Sequence, residues 1–188
     1  VENKNFNHRY LSNYFSALVS HKNGDNNLAT KYFGKTKSIL RDYPNYFDQY
    51  IKSLVLSGKI NEAINQIKFF KSKNKVDNFQ TTLLLIVDGF KKNNFKQINN
   101  QLTNMNRVLI PSTYEQIIFQ ILKSYNDLFL TKKISEIENY GQLSKILLAF
   151  QYCYLDNEET NKYFADLINV DGVDYSRYLF FYLSNLIN

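Results

Sequence analysis

The chain has one cysteine, two prolines, six glycines, two histidines and no tryptophan in 188 residues. The lone Cys153 excludes an internal disulfide and says nothing of the redox compartment. His8 and His21 have no carboxylate or cysteine at ligand spacing, so both read as surface or packing residues rather than metal ligands. The glycines are too scattered for a phosphate-binding loop. No apolar run reaches the roughly 18 residues that a membrane-spanning helix needs. Asp171-Gly172-Val173-Asp174 lacks the further acids of a calcium loop and reads as a turn and cap. Little Gly and Pro also means few helix breakers.

What is present is apolar and aromatic. Hydrophobic residues make up 44% and aromatic residues 16%, enough for a continuous core and against disorder. Formal charge is +6. It is uneven: residues 1–110 hold seventeen Lys/Arg against seven Asp/Glu, and residues 111–188 hold six against ten. Such asymmetry steers an acidic partner toward the first half. Lysine far outnumbers arginine, the bias an AT-rich genome imposes, so lysine abundance is not itself a functional signal.

Helical periodicity organises the chain. Leu11, Tyr14, Phe15, Leu18 and Val19 form an apolar stripe on a helix from Arg9 to about Asn23. Gly24 can end it in the left-handed conformation, and Asp25 or Asn26 can cap the next helix. That second helix, about Asn27 to Arg41, turns Leu28, Ala29, Tyr32, Phe33, Thr36, Ile39 and Leu40 inward, and Pro44 closes the unit. Gly24 and Ala29 recur 34 residues later as Gly58 and Ala63. Between them, Phe47, Tyr50, Ile51, Leu54 and Val55 repeat the stripe, and Ala63, Ile64, Ile67 and Phe70 follow on a helix ending near Lys73. A period of about 34 residues is the signature of stacked helix–turn–helix units. Ala29 and Ala63 fall where paired helices come closest, so a larger side chain there should overpack by about 1–3 kcal/mol.

The middle is less regular. Leu83 to Val87 is apolar all round, which predicts a helix buried between neighbours. Asn93-Asn94 stands where a glycine turn is expected, before a short helix through Leu102. After a connection over 103–111, Pro111 and Ser112 or Thr113 start a long helix to about Leu130, and a short helix is expected from Ile134 to Tyr140. Leu143 to Leu155 forms the next helix, and residues 156–164 echo 25–33 with Thr160 in place of the alanine. Asp174 to Ile187 matches the first helix again at an offset of 168. The expectation is an all-α single domain, residues 1–188, of about five and a half units: 9–44, 45–77, 78–110, 111–141, 142–172, and a helix over 174–187. The apolar last helix and the initial Val1 suggest a piece of a longer protein from which a leader has been removed.

At Gly24-Asp25, Ala29 and Phe33, and again at Gly58, Ala63 and Ile64, the chain resembles the tetratricopeptide repeat. More narrowly, it looks like the repeat-bearing proteins of alphaproteobacteria, which implies a bacterial cytoplasm or periplasm. Ala17 stands where that family prefers Gly, and units three and four lose the landmarks. The resemblance implies a right-handed superhelix of antiparallel helix pairs, an α-solenoid whose concave groove holds a partner peptide or helix. Carried over by position, groove candidates are Tyr14, His21, Lys22, Asp48, Lys52, Leu83, Val87 and Phe90. The clamp with which the family's chaperone-tail-binding subgroup holds a terminal carboxylate is absent.

No residue set points to catalysis or a cofactor. Cys153 sits in an apolar helix without a histidine that could activate it. Glu136, Glu138, Glu158 and Glu159 read as solvated. Lys68, Lys71, Lys73, Lys75, Lys91, Lys92 and Lys96 form a basic cluster whose functional reading is nucleic acid or another acidic partner. Lysines in a last helical turn also simply complement the helix dipole. The expectation is therefore a non-enzymatic scaffold that binds a protein or peptide, with a nucleic-acid-binding helical repeat as the alternative.

Overall fold

The computed structural model describes residues 8–36, 45–73, 78–105, 112–169, 172, 174 and 176–187. These form ten α-helices and no strand among the described residues: α1 His8–Lys22, α2 Asn26–Gly34, α3 Asn45–Leu56, α4 Ile60–Lys73, α5 Phe79–Lys91, α6 Phe95–Met105, α7 Thr113–Thr131, α8 Gln142–Tyr154, α9 Thr160–Ile168 and α10 Leu179–Ile187. A 3₁₀ turn, Ser176–Tyr178, precedes α10. Ile39, Leu40, Arg41, Pro44, Lys75, Pro111, Asp171, Val173 and the side chain of Lys73 lie outside the described residues.

Four of the inter-helix turns share one backbone geometry. Gly24 (φ 81°), Gly58 (75°), Asn93 (53°) and Asp156 (51°) all adopt the left-handed conformation. The next amide reaches back five residues each time: Asp25 to Ser20 at 2.9 Å, Lys59 to Leu54 at 2.8 Å, Asn94 to Gly89 at 2.9 Å and Asn157 to Tyr152 at 3.2 Å. This hydrogen bond satisfies a carbonyl that the helix end would orphan. Asn93 thus does at its turn what Gly24 and Gly58 do at theirs, because its short polar side chain tolerates positive φ. In the last of the four turns, Asp156 takes the place of Gly24, one residue away from its sequence match to Asp25.

Packing divides the chain into two compact units, Val1–Leu84 and Leu85–Asn188, the division falling inside α5. In the first unit, α1 packs on α2, α2 on α3 and α3 on α4. Its core is an aromatic cluster in which the Phe33 ring lies 5.4 Å from Tyr46 and 6.0 Å from Tyr50. The Tyr46 hydroxyl donates to the Phe33 carbonyl. Ala17, Ala29 and Ala63 are fully buried, which lets neighbouring helices approach closely.

The expected inner stripe of α1 is rotated. Phe15 and Val19 are 55% and 59% exposed, and Ala17 and Ser20 are buried instead. Small residues fit where helices cross, so the large side chains on either side are pushed to the rim. Leu28 of α2 is exposed for the same reason, beside fully buried Ala29.

The second unit holds α6 to α10, with α8 and α9 closing on Ala149, Phe164 and Leu167. Its α7 starts where Ser112 caps it, accepting from the Glu115 amide at 3.2 Å. The helix expected over Ile134 to Tyr140 does not form. Ser144 Oγ donates to the Glu138 carbonyl at 2.9 Å and accepts from the Tyr140 amide, while Asn139 Oδ1 accepts from the Gly141 amide at 2.9 Å. Side chains have captured the backbone groups that a helix would have paired. The Leu83–Val87 run is also not buried all round: Leu85 and Ile86 are buried, Leu83 and Leu84 half-buried, and Val87 is 53% exposed.

Candidate functional site

The first unit contains an open, mainly apolar cleft of about 560 Å³ between α3 and the start of α5. Ile51, Val55 and Leu56 of α3 face Leu83 and Leu84 of α5 across it. Asp48, Lys52, Gln80 and Thr81 supply its polar positions. The spacing explains the α3 wall: residues 48, 51, 52, 55 and 56 follow the i, i+3, i+4 rule and so share one helix face.

Three of the expected groove residues, Asp48, Lys52 and Leu83, line this one cleft. The α1 candidates do not. Tyr14 is only 8% exposed, with its ring 6.3 Å from Phe33 and 6.1 Å from Tyr46, so it is a core residue. His21 is half-buried, and its Nδ1 lies 2.9 Å from Asn26 Oδ1 and 3.0 Å from Ser53 Oγ. Lys22 is exposed. Val87 and Phe90 belong to the second unit, where Phe90 packs against the rings of Phe95 and Phe129 at 6.4 and 5.9 Å.

The Ser53–His21 distance is that of a nucleophile and its base, but the arrangement is not catalytic. Ser53 is fully buried, and the ring atom that faces it is the one already against Asn26. A triad needs the base oriented through its other nitrogen. This network ties α1, the start of α2 and α3 together.

Asp48 and Lys52 differ in how their charges are used. Asn78 Oδ1 accepts from the Thr81 amide at 2.9 Å and so caps α5, while its Nδ2 donates to Asp48 Oδ1 at 2.7 Å. The Asp48 carboxylate therefore sits at the positive end of α5. Lys52 is exposed and has no hydrogen-bond or ion-pair partner among the described residues.

The basic cluster is divided. Lys68 and Lys71 lie on α4 in the first unit; Lys91, Lys92 and Lys96 are exposed in the second. Lys92 Nζ is bound to the buried Asp88 carboxylate at 2.7 Å. Cys153 is half-buried against the Ala149–Phe164 core. Among the described residues no group of His, Cys, Asp or Glu is arranged to hold a metal ion. None of the described helices is long and apolar enough to cross a membrane.

The apolar pattern alone marked Ile51, Val55 and Leu84 as core, and missed Leu56, Gln80 and Thr81. Leu56 carried a usable signal, an apolar residue one turn beyond Lys52 at a helix end. No protein-family model, no curated protein and no solved structure matches the chain.

Proposed function

We propose that this protein is a non-enzymatic helical-repeat scaffold, tetratricopeptide-like, that binds a partner peptide or helix in the cleft between α3 and α5. The observation that carries this reading is the cleft itself: two facing helix walls, mainly apolar, with Asp48, Lys52, Gln80 and Thr81 as their polar positions. Its volume is in the range of sites that enclose apolar anchors. An amphipathic helix laid into such a groove presents side chains at i, i+3/i+4 and i+7. The recurring left-handed turns at Gly24, Gly58, Asn93 and Asp156 support the repeat reading.

The nucleic-acid alternative has no comparable feature. Of its lysines, Lys92 is neutralised by Asp88. Affinity capture with the wild type and with Leu56→Asp and Lys52→Glu tests the scaffold reading. Recovery of the partner should drop with either variant. Unchanged recovery with both would refute the cleft as the binding surface, and RNA retention falling steeply with salt would favour the alternative.

A further inference from the structure

We infer that the occupant of the cleft is an acidic amphipathic segment, one whose apolar anchors are flanked by Asp or Glu positioned to meet Lys52. The inference rests on the cleft being the binding surface and adds the chemistry of what enters it.

Three observations carry it. The walls are apolar on both sides, so the anchors must be apolar as well. Of the two charges that line it, Asp48 is engaged through Asn78 by the capped start of α5, whereas Lys52 has no partner among the described residues. Asp48 and Lys52 are one turn apart, in the order that favours an intrahelical ion pair, yet no bridge links them. An ammonium that no described residue pairs, beside apolar surface, is complementary to a carboxylate brought in on the partner. The third observation is the field around it. Residues 1–84 hold thirteen Lys/Arg and six Asp/Glu, a net +7, whereas residues 85–188 hold ten and eleven, a net −1. The cleft lies wholly in the positive unit. That field steers acidic partners toward it and repels basic ones.

The test uses one synthetic amphipathic helix in three forms, with a constant leucine face flanked by Glu, Gln or Lys, read by fluorescence anisotropy over a salt series. The Glu form should bind about tenfold more tightly than the Lys form at low salt, with the gap closing as salt rises. Lys52→Glu should reverse the order. Leu56→Asp, at an exposed position that leaves the helices intact, should weaken all three forms. Equal binding of the three forms, lost with Leu56→Asp but indifferent to Lys52→Glu, overturns the acidic preference and leaves the cleft in place. Failure of every form to bind, or binding untouched by Leu56→Asp, removes the cleft reading as well. Displacement of the Glu form by single-stranded RNA would assign Lys52 to phosphate and overturn the inference.

Discussion

Gly89 sets how closely α5 can meet α6. A Cβ built there would stand 2.6 Å from Cγ1 of Ile98, a side chain that is fully buried and stiff at its first torsion. In an exposed helix, Gly→Ala gains about 1 kcal/mol. At this crossing the clash reverses the sign, and Gly89→Ala should cost about 1–3 kcal/mol in a urea melt. Combining it with Ile98→Ala removes the obstructing atom, so the two changes should destabilise less than their sum. Strict additivity would mean the helices are not in contact at this point. Ala17, Ala29 and Ala63 do similar work, but only the last two stood out in the sequence, through their 34-residue spacing. Ala17 was marked only by the family's preference for Gly at its place, and Gly89 became legible only from Ile98 opposite it.

At the scale of the element, the turns decide where one helix ends and the next begins. Gly58 has φ 75° with open space around its Cα, so its only constraint is backbone conformation. Gly58→Ala should therefore cost about 1–2 kcal/mol, the penalty for an L-residue in the left-handed region. Asn93→Gly should instead gain a few tenths of a kcal/mol, since Asn93 already bears part of that penalty at φ 53°. Thermal melts of both variants check the pair, and a neutral Gly58→Ala would contradict the left-handed turn. The turn glycines were legible from the sequence because positive φ restricts residue choice. The stretch over 134–140 was not, because its helical pattern lost to the hydrogen bonds of Ser144 and Asn139, which no periodicity reports.

For the molecule as a whole, the aromatic core of the first unit sets an alkaline limit to stability. Burial pushes the Tyr46 hydroxyl up to about 12, and it raises Tyr50 as well, with the nearby Glu62 carboxylate adding to the shift. In the unfolded chain both titrate near 10. The folded state thus holds protons that the unfolded state releases, so stability is complete below pH 10 and falls as pH rises from there through about 12. Tyr46 alone accounts for at most about 3 kcal/mol of that loss. Urea midpoints at pH 8, 10 and 11 should fall slightly over the first interval and steeply over the last, and Tyr46→Phe should flatten the fall at the expense of the bond to the Phe33 carbonyl. A midpoint independent of pH up to 11 would contradict burial of these rings.

The sequence by itself determined the helical class, the bounds of α1, α7 and α8 to within a residue, and the glycine turns, because each follows from local rules of period, capping and backbone conformation. By contrast α2, expected to run to about Arg41, stops at Gly34, and the helix expected from Asp174 starts at Leu179. Asp48, Lys52 and Leu83, three of the side chains that line the cleft, came instead from the family resemblance, carried over by position. Only the tertiary structure decided which face of α1 is buried, that Tyr14 belongs to the core, and that Val87 is exposed. It likewise decided that Asp48 is engaged through Asn78, 30 residues away, while Lys52 has no partner among the described residues. The physical reason is the same in each case. A stripe on a helix shows that a face will be covered, but the size and polarity of the residues that cover it come from distant parts of the chain. Those partners decide which side chains are sealed in and which remain to meet something else.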